Sequence, residues 1–204
     1  MDIITVDTRK VSLSDMTGFQ AVISNERAKK ALRYHRDEDR RTCICAEGAV
    51  RLHIADKLGV YPDEVVLNTT EQGKPYMLPL SDGRKINFNY SHSGPFVLIG
   101  FDPLREIGID VEQRRTAPFE VMRRFCTGSE TNYIDGDPTR FFEVWTLKEA
   151  YLKAKGEGLA GGLLSVGFDF SSGAPVCSDD SAACRTIRDP DGNFIGAVCV
   201  LTNS

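Results

Sequence analysis

The feature that most constrains this chain is a change of texture that happens twice. Across residues 37–58 the apolar side chains Ile44, Val50, Ile54 and Leu58 recur at roughly helical spacing, and Gly59 follows as a helix stop. Beyond Pro62 that period gives way to short β-branched and apolar runs divided by turn residues: Val65-Val66-Leu67, 85–90, 96–101 and 106–112. The order then returns. A helical stretch over 139–155 is framed by Asp137 as N-cap, Pro138 at the first position and Gly156 past the end. Strand-like runs at 166–170 and 195–201 follow, with a hairpin turn at 189–193, while the Ser/Ala/Asp-rich stretch 171–183 reads as a plain connecting loop. Helix then strands, twice, specifies an α+β chain with a coarse twofold plan, although no residue-level repeat accompanies it.

With 204 residues, the chain has the length of one large domain or two small ones. Its net charge of −4 and pI of 5.5 argue against a general nucleic-acid binder, which needs a basic field. No run approaches the roughly 20 apolar residues of a membrane span. The six cysteines form no C-x-x-C pair, and the first residues lack a secretory pattern, so free thiols and a cytoplasmic location are expected. One segment departs from the acidic average. Residues 24–41 hold Arg27, Lys29, Lys30, Arg33, Arg36, Arg40 and Arg41 against four acids, an excess of three positive charges. A solvated helix face with internal ion pairs would explain it, as would an anionic ligand.

Three clusters carry chemistry. As a strand, Ile107-Gly108-Ile109-Asp110-Val111-Glu112 places Asp110 and Glu112 on one face. Two carboxylates so close repel unless a cation lies between them, and a hard ion such as Mg²⁺ accepts that oxygen pair. An edge strand with one solvated face is the plainer explanation. On the 139–155 helix, Phe141, Val144, Trp145 and Leu152 share one side and read as core. Glu149 and Lys153 form an i, i+4 pair, either a surface ion pair or a metal carboxylate beside a phosphate contact. The third cluster, Asn89-Tyr90-Ser91-His92-Ser93-Gly94, offers hydroxyls, an imidazole and backbone N–H groups at a turn suited to an anion. A serine hydrolase is disfavoured, because adjacent residues on an extended chain face opposite ways and no Gly-x-Ser-x-Gly elbow is present.

Taken in order, Tyr34-His35 through Arg41-Thr42, Gly73-Lys74-Pro75, Asn89 to Gly94, Gly108 to Glu112 and Trp145-Thr146-Leu147-Lys148-Glu149-Ala150-Tyr151-Leu152-Lys153 resemble the surfactin-type 4′-phosphopantetheinyl transferases. The resemblance spans about residues 29–159 and implies two similar α+β halves, 1–102 and 103–204, packed as an intramolecular pseudo-dimer with the active site in the cleft between them. It implies transfer of the phosphopantetheine arm of coenzyme A to a carrier-protein serine, with release of adenosine 3′,5′-bisphosphate. Asp110, Glu112 and Glu149 match the Mg²⁺ ligands. Lys153, Ser91 and His92 fall in the phosphate-contacting motifs, Lys29, Arg41 and Thr42 match the nucleotide and 3′-phosphate grip, and Lys74-Pro75 matches the loop along the adenine. Glu149 is the first choice for the general base and Glu130 the reserve. Glu26 stands where some members carry a further lysine, and the link 127–139 is short. A monomer acting on coenzyme A and an acyl or peptidyl carrier protein is expected, without nucleic acid or membrane. The rivals are a non-catalytic coenzyme A or carrier-binding module and a metal-dependent nucleotide pyrophosphatase.

Overall fold

The computed structural model describes residues 1–158 and 162–202. Strand β1 (Asp2–Asp7) leads into α1 (Leu13–Val22), α2 (Asn25–Ala31) and the long α3 (Asp37–Leu58). A short ribbon, β2 (Leu67–Thr69) with β3 (Pro75–Met77), precedes the hairpin of β4 (Asn87–Ser93) and β5 (Phe96–Asp102). The sequence of elements then repeats: β6 (Ile107–Gln113), the short α4 (Gly128–Ile134), long α5 (Pro138–Lys155), ribbon β7 (Phe168–Asp169) with β8 (Val176–Cys177), and the hairpin β9 (Ala182–Arg188) with β10 (Phe194–Leu201).

Both long helices carry their own start and stop signals. Asp37, Glu38 and Asp39 place negative charge at the positive end of the α3 dipole, and Gly59 closes the helix at φ 66°, a left-handed conformation that favours glycine. In α5 the Asp137 carboxylate accepts from the Thr139 amide at 2.7 Å, Pro138 occupies the first turn, and Gly156 ends the helix at φ 76°.

The two antiparallel sheets have the same wiring, β1-β5-β4 and β6-β10-β9. In each, the last strand of the half lies in the middle and one long helix covers a face. Val50 and Ile54 of α3 pack with Val97, Ile99 and Phe101 of β5, and Leu147 and Ala150 of α5 pack with Ala197 and Cys199 of β10. A third core joins the halves: Phe96 and Leu98 of β5, Ile107, Ile109 and Val111 of β6, and Phe194, Val198 and Val200 of β10. The α+β plan with two similar halves is therefore realised.

At the seam, β4 and β6 run side by side without a backbone ladder. Alternate β4 side chains do the joining. Asn89 Oδ1 accepts the Ile109 amide at 3.0 Å, Ser91 Oγ donates to Asp110 at 2.8 Å, and Ser93 Oγ donates to Glu112 at 2.9 Å. Gly108 sets how close β6 lies to α5, because a Cβ there would collide with the Ala150 carbonyl oxygen and the Ala154 amide.

Several sequence expectations are corrected. The basic stretch 24–41 is not one helical face, since α2 ends at Ala31 and α3 begins at Asp37. The Val65-Val66-Leu67 run is strand only from Leu67, because Val65 ends a 3-10 turn at Pro62–Glu64 and is itself fully buried. The 171–183 connector contains β8 and the first residues of β9, and β9 as a whole escaped notice because it alternates small, polar and basic residues with few large apolar ones. No helix among the described residues is long and apolar enough to cross a membrane.

Candidate active site

Asp110 sits at the crossing of the seam and α5. It is 6% exposed, and its Oδ1 accepts from Ser91 Oγ at 2.8 Å and from Lys153 Nζ at 2.6 Å. Lys153 also reaches Ser91 Oγ at 3.1 Å. Of the two alternatives for Glu149 and Lys153, the surface ion pair is not formed among the described residues: Lys153 instead spans from α5 to β6. Asp110 and Glu112 do share one face of β6, but that face is covered by β4 rather than solvated, so the plain edge-strand explanation fails.

Glu149 completes an acidic group. Burial, followed by the Asp110 charge, raises its carboxyl above the usual carboxylate range; Lys153 opposes this and Glu112 adds to it. Two buried oxygens, Asp110 Oδ2 and Glu149 Oε1, have no hydrogen-bond partner among the described residues. Such atoms are costly in a folded interior and call for a cation or a donor from outside. The donor set of hard carboxylate oxygens fits Mg²⁺, which keeps water and takes phosphate oxygens as its other ligands. Among the described residues no three His, Cys, Asp or Glu groups form a ready-made metal cage. Lys153 on Asp110, and Ser93 and Arg115 on Glu112, compensate the carboxylates individually.

Around the acids lies a positive field. His92, on the opposite side of β4 from Ser91 and Ser93, has its imidazole held below the ordinary pKa by crowding from the surrounding protein. The charges of Lys153, Lys30 and Arg27 act in the same direction, with Asp39 opposing. Arg27, which no motif singles out, donates to Tyr90 Oη at 2.6 Å and to Glu47 at 2.8 Å, and Glu47 also holds Arg51 at 2.9 Å. Its only sequence signal was membership of the basic stretch. Two adjoining hollows open here. A cleft of about 320 Å³ is lined from the first half by Gln72, Gly73, Lys74, Pro75, Asn89 and Tyr90, and from the second by Glu149, Leu152, Lys153, Gly156 and Gly158. A neighbouring hollow of about 240 Å³ shares Pro75 and Tyr90 and adds Glu26, Arg27 and Lys30.

The remaining sequence candidates are placed as follows. Lys29 is exposed on α2 with no polar partner among the described residues. Arg41 gives Nε and Nη2 to the Thr8 carbonyl and Nη2 to that of Val11, tying down the β1–α1 loop, and its Nη1 has no partner among the described residues. Thr42 is buried under the β4–β5 turn, 3.5 Å from the Gly94 carbonyl. Lys74 crosses between the halves to Glu106 at 2.6 Å and to the Ala154 carbonyl at 3.1 Å. Ser91 and Ser93 spend their hydroxyls on carboxylates rather than on an open anion cradle. Glu130 stands apart. It is fully buried, its oxygens taken by the Thr127 and Phe168 amides and by Lys148 at 3.0 Å, and none of its contacts is with Asp110, Glu112 or Glu149. Trp145 packs edge-on against Phe125 at 5.0 Å, as core rather than a ligand platform.

Residues 106–197 match the 4′-phosphopantetheinyl transferase superfamily, and residues 10–103 match the 4′-phosphopantetheinyl transferase N-terminal family. The 4′-phosphopantetheinyl transferase HetI of Nostoc sp. is 31% identical over 205 residues, 97% of this chain and 85% of HetI. The 4′-phosphopantetheinyl transferase Sfp of Bacillus subtilis is 30% identical over 157 residues, 74% of this chain and 68% of Sfp. Against slr0495 of Synechocystis sp. the identity is 33% over 156 residues, 73% of this chain, and the chain spans 63% of that relative's length. The holo-acyl-carrier-protein synthase structure from Thermotoga maritima aligns with a TM-score of 0.42 at 27% identity, covering 50% of this chain and 66% of that one. Two matched halves and a likeness to HetI over 97% of its residues place this chain in the 4′-phosphopantetheinyl transferase family.

Proposed function

We propose that this chain transfers the 4′-phosphopantetheine arm of coenzyme A to a serine of an apo carrier protein, releasing adenosine 3′,5′-bisphosphate. The observation that carries the reading is the pair of unpartnered buried oxygens on Asp110 and Glu149, set beside Lys153 in a cleft between the halves. Asp110, Glu112 and Glu149 would hold Mg²⁺, which when bound neutralises charge on the coenzyme A pyrophosphate. The rest falls to the chain's own residues. Phosphoryl transfer asks for positioning and charge compensation more than covalent help. Lys153 and His92 face the phosphates, and Lys29 with the free Nη1 of Arg41 engages the nucleotide side. Pro75 forms part of the wall against which the base lies, while Lys74 latches the two halves behind it. The serine oxygen forms the new P–O bond as the bridging P–O bond to the nucleotide breaks, and the serine proton passes to the Glu149 carboxylate. Burial that raises the basicity of Glu149 suits that role. Glu130, saturated by amides and Lys148, is assigned to the fold. The reading places the boundary of the halves at 102/103, with a single chain supplying the whole site.

The test is to incubate the protein with coenzyme A, Mg²⁺ and several apo carrier proteins and follow carrier mass. One added phosphopantetheine group is expected, with a loss of at least about 100-fold in Asp110→Asn and Glu149→Gln variants that keep the wild-type melting profile. Coenzyme A cleavage without a carrier would point to a pyrophosphatase, and binding without turnover to a binding module; either would replace the proposal.

A further inference from the structure

Outside the cleft lining, in the core between α5 and the β9–β10 hairpin, three thiols come together. Cys184 of β9 and Cys199 of β10 are directly opposite in the antiparallel register, and their sulfur atoms lie 2.7 Å apart. Opposed residues of an antiparallel pair have Cα atoms about 4.5–5.5 Å apart, within the range a disulfide spans. Cys184 donates its proton to Cys199, and the half-buried Cys177 of β8 packs in the same cluster, so the three sulfurs run from Cys177 through Cys184 to the fully buried Cys199. The three remaining cysteines, Cys43, Cys45 and Cys126, belong to other core clusters.

We propose that Cys177, Cys184 and Cys199 form a thiol relay that ends in a Cys184–Cys199 disulfide, with a low-molecular-weight disulfide as oxidant. The asymmetry of the chain sets the direction. Contact with Cys184, then the Asp179 amide and the Lys155 charge, lower the Cys177 thiol against burial and the Asp179 charge, whereas Cys184 donates to the fully buried Cys199 and its contacts with both neighbours keep it protonated. The thiolate is the nucleophile in exchange. Cys177 attacks the oxidant, forming a mixed disulfide and releasing one small thiolate. Cys184 attacks the Cys177 sulfur and expels the second small thiolate, which takes the Cys184 proton. Cys199 then attacks the Cys184 sulfur, its proton passing to the departing Cys177. Net, two protein thiols lose two electrons and two protons, and one small disulfide becomes two small thiols.

The experiment uses the full chain and oxidised glutathione, with intact mass, alkylation of residual thiols and peptide mapping as readouts. We expect four alkylatable thiols in place of six, a cross-link joining the peptides of Cys184 and Cys199, and a melting temperature raised by roughly 5–10 °C by the closed 15-residue loop. Cys177→Ser should reach the same endpoint about tenfold more slowly. Cys199→Ala should stop at a Cys177–Cys184 disulfide, and Cys184→Ser at a glutathionylated Cys177. Six thiols persisting in the native protein, a disulfide at Cys43, Cys45 or Cys126, or wild-type oxidation rates in Cys177→Ser would each overturn the relay. None of these readouts involves coenzyme A, so the proposal stands or falls separately from the transferase reading.

Discussion

Asp110 shows how a single residue can be both satisfied and incomplete: one oxygen takes two donors and the other takes none. The same tension governs His92. Its imidazole is depressed by burial and by Lys153, Lys30 and Arg27, so at a given pH it carries less charge than an ordinary histidine. A phosphate bound among those cations offsets their charge, and the imidazole pKa must then rise. Coenzyme A binding is therefore expected to take up a fraction of a proton near pH 6.5 and to strengthen as pH falls through that range. Calorimetry in buffers of different ionisation enthalpy measures this uptake directly, and His92→Gln should abolish it. Proton release, or equal uptake in both proteins, would remove His92 from the phosphate site. The Glu149–Lys153 spacing was correctly seen as two-valued from sequence, but only the position of β6 decided that Lys153 turns to Asp110.

At the scale of elements, the seam depends on two kinds of side chain. Polar residues at alternate β4 positions reach across to β6, and a missing side chain at Gly108 lets β6 approach α5. Gly108→Ala is expected to cost about 3 kcal/mol, since the backbone of α5 has no room to move aside, and to displace Asp110 with it. Gly18→Ala in α1 is the control. Its Cβ would meet nothing within 4 Å, and the gain should be about 0.5–1 kcal/mol. Urea midpoints of the two variants check both signs; equal effects would show that the close approach is unimportant. The caps of α3 and α5 were legible because they are local: Asp137, Pro138, Gly59 and Gly156 act on their own backbone. The Glu130–Lys148 pair was not legible, because it joins two elements 18 residues apart by burial alone.

For the molecule as a whole, the shared core is decisive. Phe96 and Leu98 from the first half are buried against Ile107, Ile109 and Val198 from the second, so neither half can expose that face cheaply. We expect calorimetry to show one cooperative unfolding transition, moved upward as coenzyme A is added if, as proposed, the ligand bridges both halves. Two separated transitions, with only one responding to coenzyme A, would show that the halves are independent and the cleft is not a joint site. The net charge of −4 proved a poor guide at this scale, since it averages a basic rim at Arg27, Lys29 and Lys30 with the acids at the seam.

The sequence by itself determined the two long helices, most of the strands, the repeated α+β order and the carboxylates that share one face of β6. Each rests on short-range physics, namely side-chain periodicity, caps and the pleat of a strand. Tertiary structure alone decided which groups meet: that β4 pairs with β6 through hydroxyls, that Lys153 answers Asp110, that Glu130 answers Lys148, and that three cysteines spread over 23 positions converge on one sheet. Those choices follow from how the two sheets stack. Contacts between distant elements are fixed by packing both halves around one shared core, for which no local pattern in the chain supplies the distance.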